Sequence, residues 1–391
     1  MKKSKSKPTP VPHKLDWKET EILSIARQCI QVLKPYVPGK SIEEVRAKYN
    51  PRVITKLGSN ENPLGVSRKV VTAMRSSLGK SSLYPDGASR LIRQGLANAH
   101  GLAMDQVMVG NGSDEVLLMI TAAFLNPGET VLVSENTFSE YEFSGRMFNG
   151  KIVKVALNDF RYDLKGFKKK LFLKPKLIFL CNPNNPTGSY FSHNELLDLL
   201  EVTPKQTLVV VDEAYAEYAS APDFPRSFEL LSKYPNLIVS RTFSKIFGLA
   251  GLRLGYAFGH PALMKETSRV KTPFNVNLLV QAGGLAALGD TSFYARSIQN
   301  NQAGRTFLEL GFMKRGIEFI PTQANFICFR TDRIAVDLCE DLLKGGMIIR
   351  ALRSFGLDYW NRVTIGTPVQ NRLFLKQLDA VLKKYPSKKS T

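Results

Sequence analysis

Acidic residues are scarce in this chain of 391 residues: 34 Asp and Glu stand against 54 Lys and Arg, a formal net charge of +20. Histidine and cysteine number four each. His13, His100, His193 and His260 form no motif with a cysteine or with one another, which argues against a zinc site. Cys29, Cys181, Cys328 and Cys339 show no pairing pattern, and Cys181 and Cys328 sit in apolar runs, so they read as reduced core residues of a cytoplasmic protein. Also missing is an apolar run long enough to span a bilayer, and the Lys/Ser/Pro-rich start leads into no signal-type apolar segment. Membrane insertion and secretion are disfavoured.

The charge imbalance has an expected location. Lys2, Lys3, Lys5, Lys7 and Lys14 open the chain and Lys383, Lys384, Lys388 and Lys389 close it, so much of the excess is expected on disordered ends. A basic surface could bind nucleic acid, but no zinc finger, helix-turn-helix or aromatic-basic RNA module stands out. Nucleic-acid binding is therefore a minor alternative, ranked well below an enzyme, and the positive potential also suits anionic small substrates.

What is present is ample apolar material, 43% of residues, enough for more than one lobe. Residues 1–19 are polar and low in complexity, a basic extension expected to be disordered. From Thr20 to Leu33, Ile22, Leu23, Ile25, Ala26, Ile30 and Leu33 predict an amphipathic helix ending before Pro35. Ser41 and Glu44 have capping-box spacing for a second, short helix. Between about 60 and 279, short apolar strands alternate with helical stretches: 107–109, 130–133, 152–155, 177–180, 208–211 and 237–239. That alternation predicts an α/β domain on a mostly parallel sheet. From about 280, a long helical region and strands near 325–329, 347–349 and 363–365 predict a smaller α+β domain, to which 20–59 adds an arm.

The chemistry gathers at strand ends. Arg241-Thr-Phe-Ser-Lys-Ile-Phe-Gly-Leu-Ala-Gly-Leu-Arg253 joins Lys245 to hydroxyls at Thr242 and Ser244 and to a cation at Arg253. A lysine in an apolar, glycine-broken loop loses solvation and becomes nucleophilic toward a carbonyl, while an arginine fork suits a phosphate. On these residues alone, two solvated surface charges are an equal reading. Upstream, Thr207-Leu-Val-Val-Val-Asp212 reads as a buried strand ending in an acid, where open α/β sheets place ligands. Lys176-Leu-Ile-Phe-Leu-Cys181 is another such strand and runs into the turn chemistry of Asn182-Pro-Asn-Asn-Pro-Thr-Gly188. Gly110-Asn-Gly-Ser113 precedes an apolar helix, so its N–H groups could meet a phosphate, although Ser113 and Asp114 also start a helix with no ligand. Glu115 replaces the third glycine of a dinucleotide fingerprint, which makes a dehydrogenase a poor reading.

The order NPNNPTG, VDEAY, then SK followed by GLAGLRLGY resembles the aspartate-aminotransferase fold of pyridoxal-phosphate enzymes, fold type I. Within it the chain resembles the histidinol-phosphate aminotransferases through Leu33-Lys-Pro-Tyr-Val-Pro-Gly-Lys-Ser-Ile-Glu-Glu-Val45, Asn60-Glu-Asn-Pro-Leu-Gly65, Tyr84-Pro-Asp86, Gly110-Asn-Gly-Ser-Asp-Glu115 and Arg362-Val-Thr-Ile-Gly-Thr-Pro368. The resemblance covers roughly residues 33 to 385. It implies a large domain on a mostly parallel seven-stranded sheet, a smaller α+β C-terminal domain, and pyridoxal 5′-phosphate as cofactor. Lys245 would carry the cofactor and act as base, Asp212 would pair with the ring nitrogen, and Asn185 and Tyr215 would bond the ring oxygen. Gly112, Ser113, Asp114, Thr242, Ser244 and Arg253 would cup the phosphate. Phe138 would stack on the ring, where the family often has a tyrosine.

The same resemblance places Tyr84 against the phosphate of a neighbouring subunit, implying a homodimer. It gives Arg362 and Arg350 to the acidic groups of the substrate, with Arg353 close enough to compete for the second role, and Tyr36 and Asn60 to the substrate entrance. The implied reaction transfers the amino group of glutamate to imidazole-acetol phosphate, giving histidinol phosphate and 2-oxoglutarate. Rival readings are an aromatic amino-acid aminotransferase and an amino-acid-phosphate decarboxylase.

Overall fold

The structure, a computed structural model, describes residues 18–33, 35 and 39–384. Leu177–Cys181 and Leu208–Asp212 are buried on both faces, which is why they read as continuous apolar runs and not as alternating ones. They are β4 and β5 of a seven-stranded sheet. The others are β1 (Val107–Gly110), β2 (Thr130–Ser134), β3 (Lys151–Val155), β6 (Leu237–Thr242) and β7 (Gly255–Gly259). The order across the sheet is β1-β7-β6-β5-β4-β2-β3. Only β7 runs against its neighbours. Six strands therefore end at one edge, and that edge is where Gly110, Cys181, Asp212 and Thr242 lie.

Six of the seven strands coincide with the expected runs, and the exception is β7. Its residues were read as part of a motif, because Gly255 and Gly259 bracket it and glycine weakens any strand signal. The glycine at 255 has a packing reason: a Cβ there would overlap the backbone of Gly112 and Ser113, where a helix begins.

The boundary expected at 279/280 falls inside the helix Leu278–Leu288. Leu278–Leu288 packs on the helices Arg68–Ser77 and Arg90–His100, and its Val280 and Ala287 belong to the large core. Gly283 and Gly284 allow the close approach, since a Cβ on Gly284 would strike Leu254. The expected long helical region is in fact two helices. The second, Thr291–Met313, starts at Asp290, whose carboxylate accepts from the Phe293 amide at 3.2 Å.

A second core around Leu308, Phe312, Phe329, Leu342 and Phe374 marks the smaller lobe. Its antiparallel sheet comprises β8 (Glu318–Ile320), β9 (Phe326–Arg330), β10 (Arg350–Ala351) and β11 (Trp360–Thr364), in the order β8-β9-β11-β10. Thr55–Lys56 pairs in parallel with Met347–Ile348, which brings the N-terminal segment into this lobe.

The capping box forms: Ser41 Oγ accepts from the Glu44 amide at 3.0 Å and Glu44 from the Ser41 amide at 2.8 Å, opening the helix Ile42–Tyr49. The helix expected over 20–33 is instead two short pieces, Glu19–Ser24 and Gln28–Gln31. Neither buries a residue, and Ile22, Leu23, Ile25 and Val32 are exposed. The second piece rests on the helix Glu140–Met147, where Arg27 Nη2 and Cys29 Sγ donate to the Met147 carbonyl at 3.1 and 3.5 Å, whereas the apolar residues of the first piece face solvent, so the stripe is not held as one continuous helix among the described residues.

Candidate active site

Asp212 ends β5 at 2% exposure, removed from water by the strands on either side. Burial pushes its carboxyl up to about 7, opposed by a hydrogen bond that Tyr141 donates to Oδ2 at 2.7 Å. Oδ1 is buried with no partner among the described residues. A buried carboxylate oxygen without a donor is costly, and its position calls for a cationic or N–H donor from a ligand.

Lys245 follows β6, half-buried, with Nζ 3.4 Å from the Ser59 carbonyl and 5.5 Å from the centre of the Tyr215 ring. Burial, with the positive charge of Arg362 adding to it, lowers its amine to about 8. A large fraction is then neutral near physiological pH, as a nucleophilic lysine requires.

Tyr215 is buried edge-on to Phe326, and its hydroxyl accepts from Asn60 Nδ2 at 3.1 Å. Asn60, expected at the substrate entrance, contacts the Tyr215 hydroxyl. It is 1% exposed, its backbone is left-handed (φ 56°), and its amide N–H donates to Thr364 Oγ1 at 2.9 Å. An asparagine tolerates that backbone, so here it braces Tyr215 between the lobes. Asn185, at the tip beyond β4, accepts from Arg362 Nη1, and Arg362 Nη2 donates to the Gly58 carbonyl at 3.1 Å.

A cup lies at the end of β1. Gly112 caps the helix Ser113–Phe124 with φ 88°, and a Cβ there would overlap the Arg253 guanidinium. Arg253, itself left-handed (φ 59°), has Nη2 2.8 Å from Asp114 Oδ2 and Nη1 3.5 Å from Ser244 Oγ. Thr242 Oγ1 accepts from the Ser244 amide at 3.0 Å. Helix-terminal N–H groups, two hydroxyls and an arginine converge there, the donor set of a phosphate site.

Phe138 is half-buried, with its ring 5.7 Å from that of Tyr141. Arg350 of β10 stands directly opposite Arg362 of β11, so the two side chains share a face of the small sheet. Arg353 is exposed in a turn, 3.7 Å from Asp358. Tyr84 is 82% exposed and stacks on Phe274 at 4.6 Å. Tyr36 lies outside the described residues. Tyr141, which sequence reasoning did not assign, is fully buried and stacked on Phe179 at 5.1 Å. Its place three residues beyond Phe138, at the start of the helix Glu140–Met147, was the available signal. Among the described residues, no His/Cys/Asp/Glu group could hold a metal, and no helix is long and apolar enough to cross a membrane.

Fold and site together define a pyridoxal-phosphate-dependent aminotransferase of fold type I: the orphaned Asp212 oxygen, the lowered lysine and the anion cup fit that cofactor's ring nitrogen, aldehyde and phosphate. The family model "Aminotransferase class I and II" matches residues 52–378. The chain is similar to histidinol-phosphate aminotransferase 2 of Carboxydothermus hydrogenoformans, 40% identical over 92% of this chain and 99% of the relative. It is likewise similar to the histidinol-phosphate aminotransferase of Moorella thermoacetica, 41% identical over 91% of this chain and 92% of that one. The crystal structure of the Sinorhizobium meliloti histidinol-phosphate aminotransferase in complex with pyridoxal-5′-phosphate superposes with a TM-score of 0.85 at 26% identity, covering 92% of this chain and 98% of that one. The chain belongs to the class I and II aminotransferases and, within them, to the histidinol-phosphate aminotransferase family.

Proposed function

We propose that the chain moves the amino group of L-glutamate to imidazole-acetol phosphate, giving L-histidinol phosphate and 2-oxoglutarate, in cytoplasmic histidine biosynthesis. The observation that carries this reading is the Arg350–Arg362 rung. Like charges placed opposite each other in a sheet repel, and an anionic group between them turns that cost into binding. A substrate phosphate or carboxylate supplies the anion, with bidentate geometry available at each guanidinium.

When bound, pyridoxal phosphate supplies an aldehyde that accepts the amino group and a ring that spreads negative charge from the substrate's α-carbon. In our reading Asp212 Oδ1 accepts from the ring N–H, and Tyr141 holds the carboxylate in place through Oδ2. Asn185 and Tyr215 would donate to the ring oxygen, and Phe138 would cover the ring face. The amides of Gly112, Ser113 and Asp114, with Thr242, Ser244 and Arg253, hold the phosphate. Lys245, neutral above about 8, would serve as the base that moves the proton between the substrate α-carbon and the cofactor's aldehyde carbon.

The active unit is a homodimer in this reading. The helices Arg68–Ser77 and Arg90–His100 leave Val71 and Leu91 exposed near the surface stack of Tyr84 and Phe274, and an apolar face of that kind suits a second copy. Tyr84 would then reach the partner's cup. Residues 20–59 and those after Gly289 form the small domain, and the intervening residues the large one.

The test is visible absorbance of the purified holoenzyme. A band that bleaches with histidinol phosphate and returns with 2-oxoglutarate supports the assignment. Bleaching by phenylalanine and glutamate but not by histidinol phosphate would make it an aromatic aminotransferase, and carbon dioxide release without need of 2-oxoglutarate would make it a decarboxylase.

A further inference from the structure

The terminal lysines Lys2, Lys3, Lys5, Lys7, Lys14, Lys383, Lys384, Lys388 and Lys389 are nine in number against a net charge of +20. The remainder of the excess sits elsewhere in the chain. It concentrates at the amino-terminal ends of the sheet strands, the edge opposite Asp212. Lys151 opens β3, Lys174 and Lys176 precede β4, Lys205 precedes β5 and Lys233 precedes β6. Hydrogen bonds knit these starts together. Thr207 Oγ1 donates to the Pro175 carbonyl at 2.6 Å, the Lys176 amide to the Thr130 carbonyl at 2.7 Å, and the Lys151 amide to the Glu129 carbonyl at 2.8 Å.

Beside this row, the helix Leu164–Lys170 adds exposed Lys165, Lys169 and Lys170, and the following turn, Leu171–Leu173, holds Phe172 at 75% exposure. The acids nearby are few. Asp198 pairs with Lys168 at 3.5 Å, Glu201 with Lys233 at 3.6 Å, and Glu129 accepts from the Asn126 amide at 2.7 Å. Among the described residues, Lys151, Lys165, Lys169, Lys170, Lys174, Lys176 and Lys205 have no ion-pair partner.

A helix dipole favours lysines in a last helical turn, which explains Lys169 and Lys170 without any partner. It does not explain the row along the strand starts. We propose that this edge docks the phosphate backbone of a single-stranded nucleic acid. From β6 across β5, β4 and β2 to β3 the row spans four inter-strand spacings, about 19 Å, and is a line of charge, not a plane. A bilayer calls for a plane with several apolar anchors. Lysines act as point charges that neutralise phosphates without reading sequence, and one exposed aromatic ring beside them offers a base a stacking surface. Such a contact requires no recognition module. It also leaves the opposite edge, with Lys245 and Asp212, open to substrate.

The test is fluorescence anisotropy of a labelled single-stranded oligonucleotide titrated with full-length holoenzyme at low and at physiological salt. We expect binding with Kd on the order of 10⁻⁴ to 10⁻⁶ M at physiological salt, tightening steeply as salt is lowered. The combined variant K151Q/K174Q/K176Q/K205Q, which removes the row at the strand starts, should weaken binding at least tenfold and flatten the log–log salt slope by about 3, with aminotransferase turnover unchanged as the check on folding. Phe172→Ala should weaken binding with little change in slope. Three outcomes overturn the proposal: no binding at low salt; loss of binding on replacing the N-terminal lysines with the patch intact; or capture by vesicles containing phosphatidylserine with none of the oligonucleotide.

Discussion

Tyr141 donates to Asp212 Oδ2 at 2.7 Å and leaves Oδ1 as the free, buried face of the carboxylate. The hydroxyl opposes the upward push of burial on Asp212, so it both aims the carboxylate and favours its charged form. Tyr141→Phe removes that aid. A hydrogen bond to a charged group contributes about 1.5–3 kcal/mol, so kcat/KM should fall roughly tenfold to a hundredfold. In the apoprotein the Asp212 pKa should rise further from about 7, so the acid limb of cofactor uptake should move to higher pH. A loss of rate with an unmoved acid limb of cofactor uptake would assign Tyr141 to packing alone.

The apoprotein's stability should carry the same signature. Asp212 titrates near 7 in the fold against 3.8 as a free side chain, so its contribution is fully present below about 4 and is lost as pH rises through about 7. Glu140, also pushed to about 7 by burial and by Asp114, acts in the same direction. Thermal midpoints of apo wild type and apo Asp212→Asn should therefore diverge as pH climbs from 4 to 7, the wild type losing more. Parallel curves would contradict this account of Asp212.

For Lys245, cofactor uptake by the apoenzyme should accelerate with pH and level off above about 8, as the amine becomes neutral. Arg362 is the second cause of the lowered value, after burial. Replacing Arg362 with Gln removes a neighbouring positive charge, so the inflection should rise above 8. Stopped-flow absorbance on both proteins checks the sign, while Lys245→Ala should show no turnover.

Arg350 and Arg353 are separated by their surroundings. The first faces Arg362 across a strand pair, and the second is exposed beside Asp358. Arg350→Gln should raise KM for histidinol phosphate about tenfold to a hundredfold, in keeping with a lost charged hydrogen bond, and Arg353→Gln should change it less than about twofold. Equal effects would mean that the turn carrying Arg353 also closes on the substrate.

Gly255→Ala should damage the phosphate cup without touching any polar group. Its Cβ would overlap the backbone at Gly112 and Ser113, so the helix start must shift, at a cost of about 1–3 kcal/mol in stability. Calorimetry and a titration with pyridoxal phosphate should report a lower midpoint and weaker binding together.

Much of this protein was decided locally. The strands buried on both faces, the Ser41–Glu44 cap and the ordered motifs around Asn185, Asp212 and Lys245 are short-range signals, because double-sided burial and turn chemistry leave their mark on consecutive residues. Tertiary structure decided the rest. β7 became a strand only because Gly255 admits the helix start beside it, and 278–288 joined the large lobe only because its glycines meet Leu254 and Met74. Asn60 met the Tyr215 hydroxyl, Tyr141 found Asp212 across 71 residues, and Arg350 met Arg362 through strand register. Each is a contact between residues distant in sequence, where the free energy depends on which surfaces meet and is encoded in no single segment.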